Sequence, residues 1–110
     1  VTPPFRYEYK GRPWVLSEYG GYSWNIKGHV WNAEKSFGYK MYADSKKLTK
    51  AFKALHEKQI IPLIKKGLCA TVYTQVSDVE YEVNGIYSYD REVLKLDKET
   101  VIALNKKLTY

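Results

Sequence analysis

Glu18 is the residue best placed to do chemistry. It closes a short apolar run, Trp14-Val15-Leu16, followed by Ser17, and it precedes Tyr19-Gly20-Gly21. A carboxylate at the end of a strand can attack an electrophile or move a proton. Glutamate is a costly occupant of a buried strand end unless its charge is satisfied, so the competing role is a solvated or paired structural carboxylate. The two glycines leave space beside it. Tyr22, Trp24, Trp31 and Tyr39 follow within about twenty residues. Such side chains present flat apolar faces with a polar tip and suit sugar rings, bases or protein partners; packing of the loop on itself is the competing role. Metal chemistry has little support. Cys69 is the only cysteine, which excludes an internal disulfide framework and a cysteine-only zinc site, and it reads as a small core residue at the start of a strand. His29 reads as an ordinary loop residue and His56 as a helix residue beside the polar face. Asp78, Glu80 and Glu82 alternate like part of a calcium loop but lack its glycine and final glutamate. No metal and no cofactor is expected.

The elements that must position these residues follow from pattern. Pro3, Pro4 and Gly11–Pro13 make residues 1–13 an extended, turn-rich lead-in. Residues 14–17, bounded by Pro13 and Gly20-Gly21, predict a buried strand. Residues 20–43 have no clean period and predict a long loop, of the kind that carries function in a compact domain. Residues 45–66 predict a helix, with Ser45 as N-cap and with Leu48, Ala51, Phe52 and Leu55 on one face. Pro62 must kink or split it, and Gly67 must stop it. Residues 68–76 predict a second strand, residues 77–92 an acidic loop with an Asn84-Gly85 turn, and residues 97–108 a last helix capped by Asp97.

Two buried strands joined by a helix predict a parallel pair, with both long loops leaving from one edge, where function gathers in α/β folds. Two strands and two helices cannot cover both faces of a parallel sheet, and a closed (β/α)8 barrel takes about 250 residues. The α/β pattern in 110 residues therefore predicts the tail end of such a barrel, a C-terminal βαβα portion present as a fragment. The only methionine is Met41, so the chain is expected to be processed or cut from a longer one.

Composition bounds the function. An apolar fraction of 45% and a charged fraction of 27% exclude disorder for most of the chain. The longest uncharged apolar run is Ile60–Ile64, far short of the ~20 residues that span a bilayer, and no secretory leader pattern opens the chain; a cytoplasmic setting is the default, and the sequence itself leaves the compartment open. The net charge of +6 permits an anionic partner. However, Lys46, Lys47, Lys50, Lys53, Lys58, Lys65 and Lys66 supply seven of the eighteen basic residues, mostly opposite the apolar stripe of one helix. That is a solvated face, and it separates the lysines from the loop aromatics that a nucleic-acid surface would interleave with them.

The stretch Pro13-Trp14-Val15-Leu16-Ser17-Glu18-Tyr19-Gly20-Gly21 resembles the seventh barrel strand of glycoside hydrolase family 2, which includes β-galactosidases and β-glucuronidases. Ala70–Asp78 followed by Asn84-Gly85-Ile86-Tyr87-Ser88-Tyr89-Asp90-Arg91 resembles its eighth strand and the turn into its last helix. The likeness runs from about residue 12 to residue 108. It implies a retaining glycosidase in which two carboxyl groups lie roughly 5–5.5 Å apart, with Glu18 as nucleophile. The family's acid/base glutamate follows an asparagine, and these 110 residues contain no Asn-Glu pair. The resemblance thus places the acid/base outside this chain and implies that the 110 residues alone are inactive. It further points to Tyr73, Gln75, Trp24 and Asn84 as substrate-binding residues. Here the neighbourhood Tyr73-Thr74-Gln75 stands where the family often has a tryptophan, and Gly21 stands where some β-galactosidases have a histidine. Glu82-Val83-Asn84 stands where a glucuronidase presents a lysine, which implies a neutral β-hexoside, a β-galactoside first. Asp90-Arg91 reads as an ion pair or turn clamp.

The expected partner is therefore a carbohydrate, with no nucleic acid and no membrane. Open strand edges predict a homo-oligomer of the fragment. A non-catalytic carbohydrate-binding or scaffold domain is the alternative, and a basic, tyrosine-rich nucleic-acid-binding module a further one.

Overall fold

The computed structural model describes residues 11–110, so most of the lead-in expected over residues 1–13 lies outside the described residues. Strand β1 runs Trp14–Gly20 and pairs in parallel with β4, Leu68–Thr74. The pairing is irregular where it matters. Leu16 faces Thr71 and Tyr19 faces Tyr73, so three steps on β1 match two on β4. One residue is in excess on β1, around Ser17 and Glu18, and the strand bulges there. In a regular strand Leu16 and Tyr19 would point to opposite faces. With the bulge, both pack against the buried cluster of Leu55, Ile60 and Leu68, and the chain between them is turned outward.

Helix α1, Ser45–Leu55, begins one residue earlier than its pattern predicts: Asp44 is the N-cap and accepts from the Lys47 backbone N–H at 2.8 Å. The Ser45 hydroxyl donates instead to the Lys95 carbonyl. Leu48, Phe52 and Leu55 are buried, and Lys46, Lys47, Lys50 and Lys53 are exposed. Each large apolar side chain so buried contributes about 1.5–3 kcal/mol relative to exposure. Pro62 splits the helix. A π-helical turn, His56–Ile60, with the Ile61 N–H donating to the His56 carbonyl, precedes the short α2, Ile61–Ile64. Pro62 has no N–H to donate, and its ring would collide with the carbonyl four residues back; the wider turn accommodates it.

His56 faces inward, not to the polar face, because it lies four residues after buried Phe52 on the same helix face. It is 1% exposed. Its Nδ1 lies 2.8 Å from the Phe52 carbonyl, which can only accept, so Nδ1 carries the proton and Nε2 accepts from the Tyr19 hydroxyl at 2.9 Å. Burial holds its pKa below the ordinary 6.5. The sign of the linkage follows: the neutral ring contributes stability that is full above pH 6.5, shrinks as pH falls below it, and is exhausted once the folded-state pKa is passed. The thermal midpoint is expected to drop from pH 7.5 to 5, and His56→Gln to flatten that slope. A wild-type midpoint unchanged over this range would contradict the assignment.

The barrel expectation is corrected here. The described strands form two separate two-stranded sheets, β1-β4 and β2-β3, where β2 is Tyr22–Ser23 and β3 is Lys40–Met41. The long segment 20–43 is thus no plain loop. It returns on itself to make a parallel pair before α1 begins. After β4 the chain does not enter a helix directly: it makes single bridges, Ser77 with Tyr87, Val79 with Glu82 and Tyr87 with Leu94, and only then reaches α3, Lys98–Lys107. This is not the βαβα portion of a (β/α)8 barrel, because no strand–helix unit repeats. The reason is polar backbone. Backbone N–H and C=O groups of segments 20–43 and 77–92 that packing removes from water need partners, and they find them in each other.

A second buried cluster, Leu48, Phe52, Leu96 and Leu104, joins α1 to α3, with Tyr22, Trp24, Tyr73 and Ile86 against it. Asp97 caps α3, accepting from the Thr100 N–H. Among the described residues no helix is long and apolar enough to cross a membrane.

Candidate functional site

The two long segments leave the same ends of β1 and β4 and are stitched together. The Phe37 N–H donates to the Tyr81 carbonyl, Val83 to Phe37, and Trp24 to Val83. Beneath this layer lies the most buried charged group among the described residues. Lys95 is 0% exposed, and its ammonium donates to Asp78 Oδ1 at 2.6 Å, the Trp24 carbonyl at 2.9 Å and the Val83 carbonyl at 3.1 Å. All three ammonium protons are used. Asp78 Oδ1 also accepts from the Gly85 N–H at 2.9 Å. Burial pushes the Asp78 carboxyl up and the Lys95 ammonium down, and their contact opposes both shifts. Gly85 permits the approach: a Cβ there would fall 2.2 Å from the Asp78 nitrogen.

Two predicted binding residues meet on this scaffold. Gln75 Nε2 donates to Asn84 Oδ1 at 2.6 Å, and the Gln75 backbone N–H donates to the Asn84 carbonyl. Asn84 is fully buried, and its Nδ2 makes no hydrogen bond. Trp24 joins them through Val83 and Lys95. Tyr73 is placed otherwise. Its ring lies edge-on to Tyr19 (5.3 Å) and Phe52 (5.2 Å), and burial pushes its hydroxyl well above the ordinary phenol range. It is a core aromatic that supports β1.

Glu18 stands apart from that group. The β1 bulge leaves it exposed on the lip of a cleft of about 430 Å³, lined by Leu16, Glu18, Tyr19, Gly20, Tyr22, Leu55 and Gln59. A Cβ on Gly20 would meet the Tyr73 ring at 2.7 Å and the Thr74 carbonyl at 2.8 Å, so a glycine here is what lets Tyr73 pack against the end of β1. Tyr19 and Tyr22 give that cleft aromatic walls, while the Tyr19 hydroxyl is spent on His56. The arrangement offers an accessible carboxylate oxygen beside ring faces, which is what attack on a sugar carbon or anchoring of a polar ligand requires.

Sequence reasoning did not single out Lys95 or Gln59. Lys95 had a signal: a lone lysine inside Val93-Leu94-Lys95-Leu96, in a chain with a lone Asp78 between Ser77 and Val79. A charge in such a run needs a buried partner. No protein-family model matches this chain, and no curated protein matches it.

Proposed function

We propose that this chain carries the nucleophile of a retaining β-glycosidase, with Glu18 as the attacking carboxylate and a neutral β-hexoside, a β-galactoside first, as substrate. The observation that carries the reading is the β1 bulge, which presents Glu18 to an aromatic-walled cleft instead of the sheet. A Glu18 oxygen bonds to the anomeric carbon while the bond to the leaving oxygen breaks. That oxygen takes a proton from a second carboxyl group, which then draws a proton from water as water releases the sugar and restores Glu18. The second carboxyl comes from outside these 110 residues, and the chain by itself turns over no substrate. The neutral sugar is supported by Lys95: the lysine nearest the Val83-Asn84 turn spends all three protons inside the protein and has none for a uronate carboxylate. Incubation of the active enzyme containing this sequence with a 2-fluoro galactoside, followed by peptide mass mapping, is expected to place the label on Glu18. Label on another carboxylate refutes the assignment, and a preference for a nitrophenyl glucuronide over the galactoside refutes the substrate.

A second reading, a carbohydrate-binding domain without catalysis, is favoured by one observation. Tyr39 is 68% exposed and sits edge-on to exposed Phe37 at 5.1 Å. Saturable sugar binding that survives Glu18→Gln and is lost in Tyr39→Ala would support it over the first.

A further inference from the structure

We infer that His29, Asp90 and Glu92 form a binding site for a divalent transition-metal ion of the zinc type. The inference stands on geometry that neither Glu18 nor the glycosidase reading uses. His29 comes from the segment after β1, and Asp90 and Glu92 from the turn before α3. The fold brings one ligand atom of each within 4.8 Å of the others. His29 Nδ1 lies 2.7 Å from Asp90 Oδ2. In a tetrahedral site at ~2.0–2.2 Å from the ion, adjacent ligand atoms stand about 3.3–3.6 Å apart, so the exposed side chains must part this pair and draw Glu92 in as the ion binds.

The cluster differs from an ordinary acidic patch in three respects. It mixes imidazole nitrogen with carboxylate oxygen, a donor set that suits zinc and its neighbours better than calcium or magnesium. Two carboxylates and a neutral imidazole balance the charge of a divalent ion. Asp90 is also already oriented: its Oδ1 accepts from the Ser88 hydroxyl and from the Glu92 backbone N–H, which leaves Oδ2 to face His29. Ligating carboxylates are held in this way in metal sites. Arg91, between the two acids, does not compete, since its guanidinium reaches back to the Tyr89 carbonyl. Ligation by Nδ1 uses the neutral ring with its proton on Nε2, and the ring is about one-third exposed; the ion would take the place of the hydrogen bond to Asp90. Three protein ligands leave the remaining positions to water or to a ligand.

The site would tie the segment after β1 to the turn after β4, and so clamp the layer that carries Gln75 and Asn84. The test uses the 110-residue chain after dialysis against a chelator. Titration with Zn²⁺ by calorimetry is expected to show one saturable equivalent, and Co²⁺ to give a visible d–d band. His29→Ala should weaken Zn²⁺ binding at least tenfold. Glu92→Gln, an exposed change that leaves the Glu92 N–H in place, should weaken it severalfold and keeps the test valid if His29→Ala does not fold. Cys69→Ser should change nothing. The absence of a saturable equivalent, equal affinity in both His29→Ala and Glu92→Gln, or loss of binding in Cys69→Ser would each overturn the assignment. Loss of Zn²⁺ binding leaves the Glu18 reading standing, and failed labelling of Glu18 leaves the metal reading standing.

Discussion

Glu18→Gln is expected to lower turnover of a nitrophenyl β-galactoside by roughly four orders of magnitude or more in the active enzyme that contains this sequence. The amide keeps the size and hydrogen-bonding reach of the side chain but has no charge to form a bond with the anomeric carbon. Glu18 lies on the bulged part of β1, and its replacement removes no packing: the residues that hold β1 down are Leu16 and Tyr19. The fold should therefore survive, with a thermal midpoint within a degree or two of wild type. Substrate affinity should change little, since Tyr19, Tyr22 and Gly20 still line the cleft. Two controls sharpen the result. In Glu18→Ala, where the side chain is truncated and its position vacated, a small anion such as azide should restore activity, with inversion at the anomeric carbon. Tyr22→Leu, by contrast, removes an aromatic wall of the cleft and should act on KM more than on kcat. A Glu18→Gln enzyme within tenfold of wild type would end the nucleophile assignment, whatever the sugar.

The second large effect concerns folding. Lys95→Met is expected to cost about 3–5 kcal/mol, the usual penalty for removing one partner of a buried pair. The change leaves Asp78 buried with only the Gly85 N–H as donor, and strips the Trp24 and Val83 carbonyls of theirs. A domain of this size commonly has about 5–15 kcal/mol in total, so the variant should be close to unfolding at 37 °C. Replacing both partners, Lys95→Met with Asp78→Leu, should cost less than the two single changes added, because no charge is then left stranded. Urea unfolding of the four proteins measures this directly. Hydrogen exchange should show the loss first at residues 24, 37 and 83, whose bonds knit the two long segments together. A Lys95→Met protein within about 1 kcal/mol of wild type would show that the pair is no keystone.

These two residues mark how far a one-dimensional reading goes. Glu18 stands out as a candidate in the sequence, because an apolar run ending in Ser-Glu-Tyr-Gly-Gly is a local pattern; its exposure on a bulge could not be read there. The bulge arises because Leu16 and Tyr19 must both reach the same cluster under the helix, and that demand is set by Leu55, Ile60 and Leu68, some forty to fifty residues away. Lys95 shows the opposite case. Its neighbours in sequence are apolar, and the three acceptors that make its burial tolerable come from residues 24, 78 and 83. No spacing rule connects them. Tyr73 reads as a candidate sugar platform, and the structure packs its ring edge-on against Tyr19 and Phe52, contacts that no local pattern reveals because Phe52 comes from the helix.

The amino-acid sequence by itself determined the local decisions. Leu48, Phe52 and Leu55 define the buried stripe of α1, Pro62 splits that helix, and Asp97 with Thr100 starts α3, because each depends on neighbours within a turn or two. Asp44 took the cap from Ser45 because the Ser45 hydroxyl had a distant carbonyl to reach, that of Lys95. Only the tertiary structure decided the architecture: two small parallel pairs in place of a barrel segment, a buried histidine bonded to Tyr19 of β1, and two long segments bound into one layer over a buried lysine. The physical reason is common to all three. Backbone polar groups and buried charges must find partners, and the partners that satisfy them here lie far along the chain.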